Sequence, residues 1–118
     1  MAETPKKKEI NFTISENNQG EFDYYVDLVH TWAEERNLLL QENVKSQMLK
    51  VVEEIGETAR AINRNDIDEI IDGIGDSFVT LIILSFQLGL SPSYCLRQAY
   101  DVIAKRTGKT VNGTFIKD

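Results

Sequence analysis

The chain has 118 residues, a formal net charge of −6 and a pI near 4.8. This length allows one domain with a single core. The acidic balance argues against binding to nucleic acid or to an anionic membrane, because both require a basic surface. The single cysteine, Cys95, excludes an internal disulfide and suits a reducing compartment. The polar amino terminus has no signal peptide and no apolar run approaches the roughly 20 residues that span a bilayer, so we expect a cytoplasmic protein.

The first 20 residues are polar, and we interpret them as a flexible tail that precedes one domain over residues 21–118. Alternation of apolar and polar residues over positions 10–14 is compatible with a short strand. Apolar residues at helical spacing predict a first helix over residues 22–36 and a second over residues 44–63.

Capping residues define two further helices. Asp66 is the expected N-cap of a third helix over residues 67–88, with Gly89 as its C-cap. A fourth helix over residues 92–106 begins with Ser91 at the N-cap and proline at the first helical position. The remaining residues are expected to form an extended tail. Four helices joined by short connections predict an all-α fold.

The second predicted helix carries a group of acidic residues. Glu57 follows Glu53 by four positions and Glu54 by three, and all three point away from the apolar stripe, together with Lys50. Such helical neighbours lie about 5–6 Å apart at Cβ, which is close enough for them to share one cation. A solvated polar face is the alternative interpretation of this helix alone.

The third predicted helix carries a second acidic pair. Asp72 and Asp76 are four positions apart, and most of the residues around them are apolar. We expect a helix this apolar to be buried over most of its circumference, against its own core and a partner chain. Neighbouring carboxylates without a counter-charge repel each other and partly protonate, so the pattern predicts a cation between the two helices.

Glycines lie within both acidic groups. Gly56 belongs to the first group, and Gly73 and Gly75 belong to the second. Each costs about 1 kcal/mol relative to alanine inside a helix. Their small size favours close approach of two helix backbones or of a ligand.

An all-carboxylate ligand set suits Mg²⁺ or Mn²⁺. One cysteine and one distant histidine disfavour zinc, and His30 lacks the Glu-x-x-His pattern of a di-iron bundle. Magnesium held by a few carboxylates keeps positions for water and for substrate phosphates. The sequence therefore points to phosphate chemistry.

Two acidic motifs in this order and spacing resemble those of the MazG-like nucleoside triphosphate pyrophosphohydrolases. The segments that carry the resemblance are Glu53-Glu-Ile-Gly-Glu57, Asp72-Gly-Ile-Gly-Asp76, Trp32-Ala-Glu-Glu-Arg36, Gln47-Met-Leu-Lys50, Ala99-Tyr-Asp101 and Lys105-Arg-Thr-Gly-Lys109. The resemblance implies a four-to-five-helix bundle completed by homo-oligomerisation into dimers or tetramers. It also implies Mg²⁺-dependent hydrolysis of a nucleoside triphosphate to monophosphate and pyrophosphate.

The same resemblance implies roles for the acidic residues. Glu54, Glu57 and Asp76 fall on metal-ligand positions, and Glu53 or Glu57 would accept the proton of the attacking water. One departure is that Gly73 stands where the family has its second-motif glutamate. Asp72, one residue earlier and one turn before Asp76, is the substitute that we predict.

Further residues are candidates for binding the substrate. Asp101 falls where the family often has an asparagine near the metal or phosphate. Trp32, with Tyr25 and Phe22, is a candidate for stacking on the base, while packing in the core is the alternative for these aromatic residues. The basic candidates for the polyphosphate, each alternatively a surface cation, are Lys50, Lys105, Arg106 and Lys109.

Three functional hypotheses follow. The main one is a Mg²⁺-dependent pyrophosphohydrolase that acts on ribo- or deoxynucleoside triphosphates in nucleotide-pool housekeeping. The second, prompted by Gly73, is a relative that binds nucleotides but turns them over weakly. The third is a non-enzymatic helical oligomer whose acidic stripes meet basic residues of a partner chain.

Overall fold

A computed structural model describes residues 20–118 of the chain. The expected amino-terminal tail and the possible strand over residues 10–14 lie outside these residues. The elements in chain order are α1 (Glu21–Glu35), a short 3₁₀ helix (Gln41–Asn43), α2 (Val44–Asn63), α3 (Ile67–Gln87), α4 (Pro92–Ile103), β1 (Gly108–Val111) and β2 (Thr114–Lys117). The predicted all-α architecture is confirmed.

The expected caps begin and end the helices. The Asp66 side chain accepts a hydrogen bond from the Glu69 amide at 3.2 Å, and the Ser91 hydroxyl accepts one from the Tyr94 amide at 3.3 Å. Gly89 has a φ of 73°, the left-handed conformation that ends α3. These local signals mark both ends of α3 and the start of α4.

Helices α2 and α3 form the most extensive helix contact, and α1 packs on α3. The core consists of small and branched residues from these three helices: Val26, Ala33, Val51, Ala61, Ile82 and Ile83. Two glutamine side chains tie the elements together, because Gln47 donates to the Thr80 carbonyl at 3.0 Å and Gln87 to the Leu38 carbonyl at 2.7 Å. The α2–α3 pair is therefore the rigid centre of the described chain.

Two expectations about the carboxyl-terminal part are wrong. Helix α4 ends at Ile103 rather than at residue 106, and the expected extended tail is a β-hairpin. The reason is the Asn112-Gly113 pair, whose φ values of 50° and 79° are both positive. A type I′ turn requires positive φ at both central positions, and it pairs the strands that flank it.

The expectation that α3 is buried over most of its circumference is not met within one copy. Ile71 is 64% exposed and Phe78 is 49% exposed. These side chains lie on an open apolar face of the α2–α3 pair.

Among the described residues, no single helix is long and apolar enough to cross a bilayer. Helices α3 and α4 meet that test only when taken together, and they are bent by 101° relative to each other.

Candidate functional site

Two acidic side chains of α2, Glu54 and Glu57, interact electrostatically with carboxylates of α3. Glu54 is half-buried, whereas Glu53 and Glu57 are exposed. Burial raises the pKa of Glu54, and the charge of Glu57 raises it further, followed by the charges of Asp76 and Asp72. Carboxylates of α2 and α3 therefore act electrostatically on one another.

The acidic side chains of α3 show the same relationship from the other helix. Asp76 is half-buried and Asp72 is exposed. Burial raises the pKa of Asp76, and the charges of Asp72 and Glu57 raise it further. The α2–α3 packing thus brings together the four residues that the sequence analysis predicted as metal ligands: Glu54, Glu57, Asp72 and Asp76.

The chemistry of this donor set fits a hard divalent cation, because all of its potential ligands are carboxylate oxygens. A divalent cation bound among these carboxylates would relieve their mutual repulsion. In residues 20–118, however, no three acidic, histidine or cysteine side chains are already arranged around one point as ligands. Binding of an ion by this cluster therefore requires carboxylate side chains to rotate toward a common centre.

Gly73 lies where α3 closely approaches α2. The glycine is buried, and a Cβ atom added to it would collide with the Thr58 hydroxyl and lie 3.2 Å from the Thr58 Cα. The Thr58 hydroxyl itself donates to the Glu54 carbonyl at 2.7 Å. Position 73 therefore faces Thr58 of α2, so a larger side chain there would require the Thr58 hydroxyl and the two helices to shift. Asp72, one residue earlier, is the exposed acidic residue of α3 next to this contact.

The other two glycines near the acidic groups make no such contact. A Cβ added to Gly56 or Gly75 would meet no atom within 4 Å. Within the described chain, the interpretation that these glycines allow the helices to approach closely therefore holds only for Gly73.

A cavity of about 440 Å³ lies between α1 and α3, beside the acidic cluster. Tyr25 and Trp32 line it on the α1 side and Asp76 and Val79 on the α3 side. Trp32 is 46% exposed and the Arg36 guanidinium lies 4.4 Å from the centre of its ring. These aromatic side chains are not packed into the core, and Asp76 belongs both to the acidic cluster and to this cavity.

A second, polar cavity of about 260 Å³ lies where α2 and α3 meet their connecting turn. It is lined by Glu57, Arg60, Arg64, Glu69 and Asp72. In the part of the chain that the structure describes, neither arginine is in an ion pair. The sequence analysis missed both arginines, although their positions three and seven residues after Glu57 place them on the same face of α2.

The other predicted substrate-binding residues are dispersed. Lys50 is exposed on α2, one turn before Glu53 and Glu54. Asp101 lies on α4, which packs on α3, whereas Lys105, Arg106 and Lys109 lie on or just before the hairpin. Within one copy, the described structure does not pack the hairpin against α2 or the acidic part of α3.

Comparison with known proteins identifies relatives on the same segment. The model of the MazG nucleotide pyrophosphohydrolase domain matches residues 42–108, which contain both acidic motifs. An uncharacterised 18.2 kDa protein from the rep–hol intergenic region of Haemophilus phage HP1 (strain HP1c1) is 41% identical over 59 residues, or 50% of this chain and 36% of the phage protein. The matched part of the chain thus spans about a third of the phage protein's length. No solved structure matches this chain. The domain model matches more than half of this chain, so the chain belongs to the MazG nucleotide pyrophosphohydrolase domain family.

Proposed function

We propose that this protein is a Mg²⁺-dependent hydrolase that converts nucleoside triphosphates to monophosphate and pyrophosphate in the cytoplasm. The observation that carries the proposal is the electrostatic coupling of Glu54, Glu57, Asp72 and Asp76 across α2 and α3. The adjacent aromatic cavity, which shares Asp76 with this cluster, supports a nucleotide as the ligand. Mn²⁺ would be accepted in place of Mg²⁺ because both prefer oxygen ligands.

The acidic cluster would hold the metal through Glu54, Glu57, Asp72 and Asp76. When bound, a divalent cation neutralises phosphate oxygens and lowers the pKa of a coordinated water. Glu57, or Glu53 beside it, would accept the proton from the water that attacks the α-phosphorus.

The remaining site residues would bind the two ends of the nucleotide. Trp32 would stack on the base, because an aromatic side chain can stack on the ring of any nucleotide base. Arg60 and Arg64 would bind the departing pyrophosphate, since guanidinium groups pair well with phosphate oxygens. Lys50 would contact the phosphates from the opposite end of the acidic cluster, and Lys105, Arg106, Lys109 and Asp101 stay predicted substrate-binding residues.

Self-association into a dimer or tetramer is part of the proposal. The open apolar face of the α2–α3 pair is lined by large side chains such as Ile55, Ile62 and Ile74. Exposed apolar patches of this kind typically mark interfaces. A symmetric oligomer would cover them and complete the bundle.

Pyrophosphate release from a panel of ribo- and deoxynucleoside triphosphates, with and without Mg²⁺, tests the proposed activity. We expect turnover of at least one nucleotide that requires the metal. Binding of a nucleotide with negligible turnover would favour the weakly active relative, which the glycine in place of a glutamate at position 73 makes the second candidate. Neither binding nor turnover over the panel would favour the non-enzymatic oligomer.

A further inference from the structure

The carboxyl-terminal hairpin is paired with itself and with little else. Its strands pair in antiparallel register, with Lys109 opposite Ile116 and Val111 opposite Thr114. All eight strand residues are exposed, and among the described elements neither strand makes an extensive contact with a helix. An isolated two-stranded hairpin is at best marginally stable in water. A further surface is therefore needed to hold it in place.

The two faces of the hairpin carry different side chains, and both are exposed, since Phe115 on the first face is itself 51% exposed. On the first face the Phe115 ring lies over Gly108, 2.8 Å from where a Cβ of that glycine would be. On the opposite face, Val111 and Ile116 are 43% and 50% exposed beside Lys109. This second face combines exposed apolar side chains with a positive charge.

Charge is strongly segregated along the described chain. Residues 20–104 contain six Lys and Arg against fifteen Asp and Glu, a net charge of −9. Residues 105–118 contain four Lys and Arg against one Asp, a net charge of +3. The surface most complementary to the hairpin is therefore the helical part of this same protein.

We propose that the hairpin of one copy docks on the helical part of a second copy, through its Val111 and Ile116 face and with Lys109 of that face beside carboxylates of the partner. A second copy is favoured over the hairpin's own helices because only residues 104–107 separate it from the end of α4, and in the structure it makes no extensive contact with α2 or α3. Reciprocal docking would bury two hairpins per dimer, which suits a two-fold symmetric pair. The proposal does not depend on the catalytic activity.

Cross-linking of the full chain tests this proposal directly. Equal amounts of ¹⁴N- and ¹⁵N-labelled protein are mixed, allowed to exchange subunits and treated with a zero-length carbodiimide, which joins paired amines and carboxylates. We expect mass spectrometry to find Lys109 joined to carboxylates within residues 20–104 in pairs of mixed label. Links confined to peptides of a single label, or no such links, would overturn the proposal.

Sedimentation velocity over a dilution series gives an independent measure. The double variant Val111→Thr with Ile116→Thr keeps β-branched residues but removes apolar surface, and we expect it to weaken self-association at least tenfold. Lys109→Glu, which reverses the charge on the same face as Val111 and Ile116, should weaken it as well. Lys45→Glu, an equal change of charge at an exposed position on α2, should change the association constant less than twofold. A monomer at all concentrations, or equal association of the wild type and the hairpin variants, would contradict the inference.

Discussion

The α2–α3 pair and the carboxyl-terminal segment, residues 105–118, differ in both charge and packing. The helix pair gathers acidic side chains onto a scaffold in which Gly73 packs closely against Thr58. The terminal segment is basic and its hairpin contacts little beyond itself. A rigid scaffold can hold like charges together, because the packing energy of the helices opposes their repulsion. The terminal segment has no such scaffold within one copy.

The largest expected effect is on turnover and belongs to the helix pair. Glu57→Gln removes a carboxylate that acts on both Glu54 and Asp76. We expect loss of activity by about 10²-fold or more, the range for removal of a catalytic acid or base, with unchanged helical content by circular dichroism. The measurement is steady-state pyrophosphate release.

Glu42→Gln is the matched control for this substitution, because it removes one exposed carboxylate from the 3₁₀ helix before α2. Its activity should remain within twofold of wild type. If both variants keep their activity, Glu57 is not part of the catalytic machinery.

The second prediction tests the close packing of Gly73 against Thr58 in the helix pair. Gly73→Ala places a methyl group against Thr58 and should lower the free energy of unfolding by about 1–3 kcal/mol, the usual cost of overpacking. Gly75→Ala, two residues away in open space, should instead raise it by up to about 1 kcal/mol through helix propensity. Chemical denaturation measures both, and a stabilised Gly73→Ala variant would refute the close contact.

The third prediction concerns the aromatic cavity that adjoins the helix pair. Trp32→Ala should raise KM for the preferred nucleotide roughly tenfold, corresponding to about 1–3 kcal/mol of base stacking, and leave kcat within about threefold. Trp32→Phe keeps an aromatic ring and should recover most of the affinity. An unchanged KM in the alanine variant would show that the base binds elsewhere.

The smallest expected effect is a change in stability with pH. Because the pKa of Asp76 is raised, the Asp76 carboxyl binds a proton more tightly in the folded protein than in the unfolded chain. The wild type therefore loses stability as pH rises from the ordinary aspartate pKa through the raised value. Asp76→Asn should be more stable than wild type above this window, by about 0.2–0.5 kcal/mol per like-charged pair relieved, and should lose that advantage below it.

Thermal unfolding at a series of pH values, without divalent metal, checks this prediction. Millimolar Mg²⁺ should then stabilise the wild type more than Asp76→Asn, because a ligand that binds only the folded state raises its stability. A wild type that is more stable than the variant at neutral pH without metal would contradict the assigned repulsion.

Local signals in the sequence were sufficient to predict the helices. Asp66 and Ser91 act as caps through side-chain hydrogen bonds to nearby amides, so their role depends on residues only three positions away. The hairpin was missed although Asn112-Gly113 is an equally local signal. The exposed strands around it lack the longer alternating pattern that usually identifies a sheet.

The site could be predicted only in part, because its assembly depends on how α2 and α3 pack. The spacing of Glu54, Glu57, Asp72 and Asp76 identified the acidic cluster. The close contact of Gly73 with Thr58, and the cavity that joins Arg60 and Arg64 to Glu57, required the helices to be placed against each other. No spacing along one helix contains that information.

The central claim is that carboxylates of α2 and α3 hold one divalent cation between them. Mn²⁺ binding to the wild type, Glu57→Gln, Asp76→Asn and the double variant, followed by electron paramagnetic resonance of the free ion, tests it as a double-mutant cycle. We predict that each single variant weakens binding at least tenfold and that the double variant weakens it by clearly less than the product of the two effects. Effects that multiply as for independent sites, or no Mn²⁺ binding by the wild type, would contradict the account.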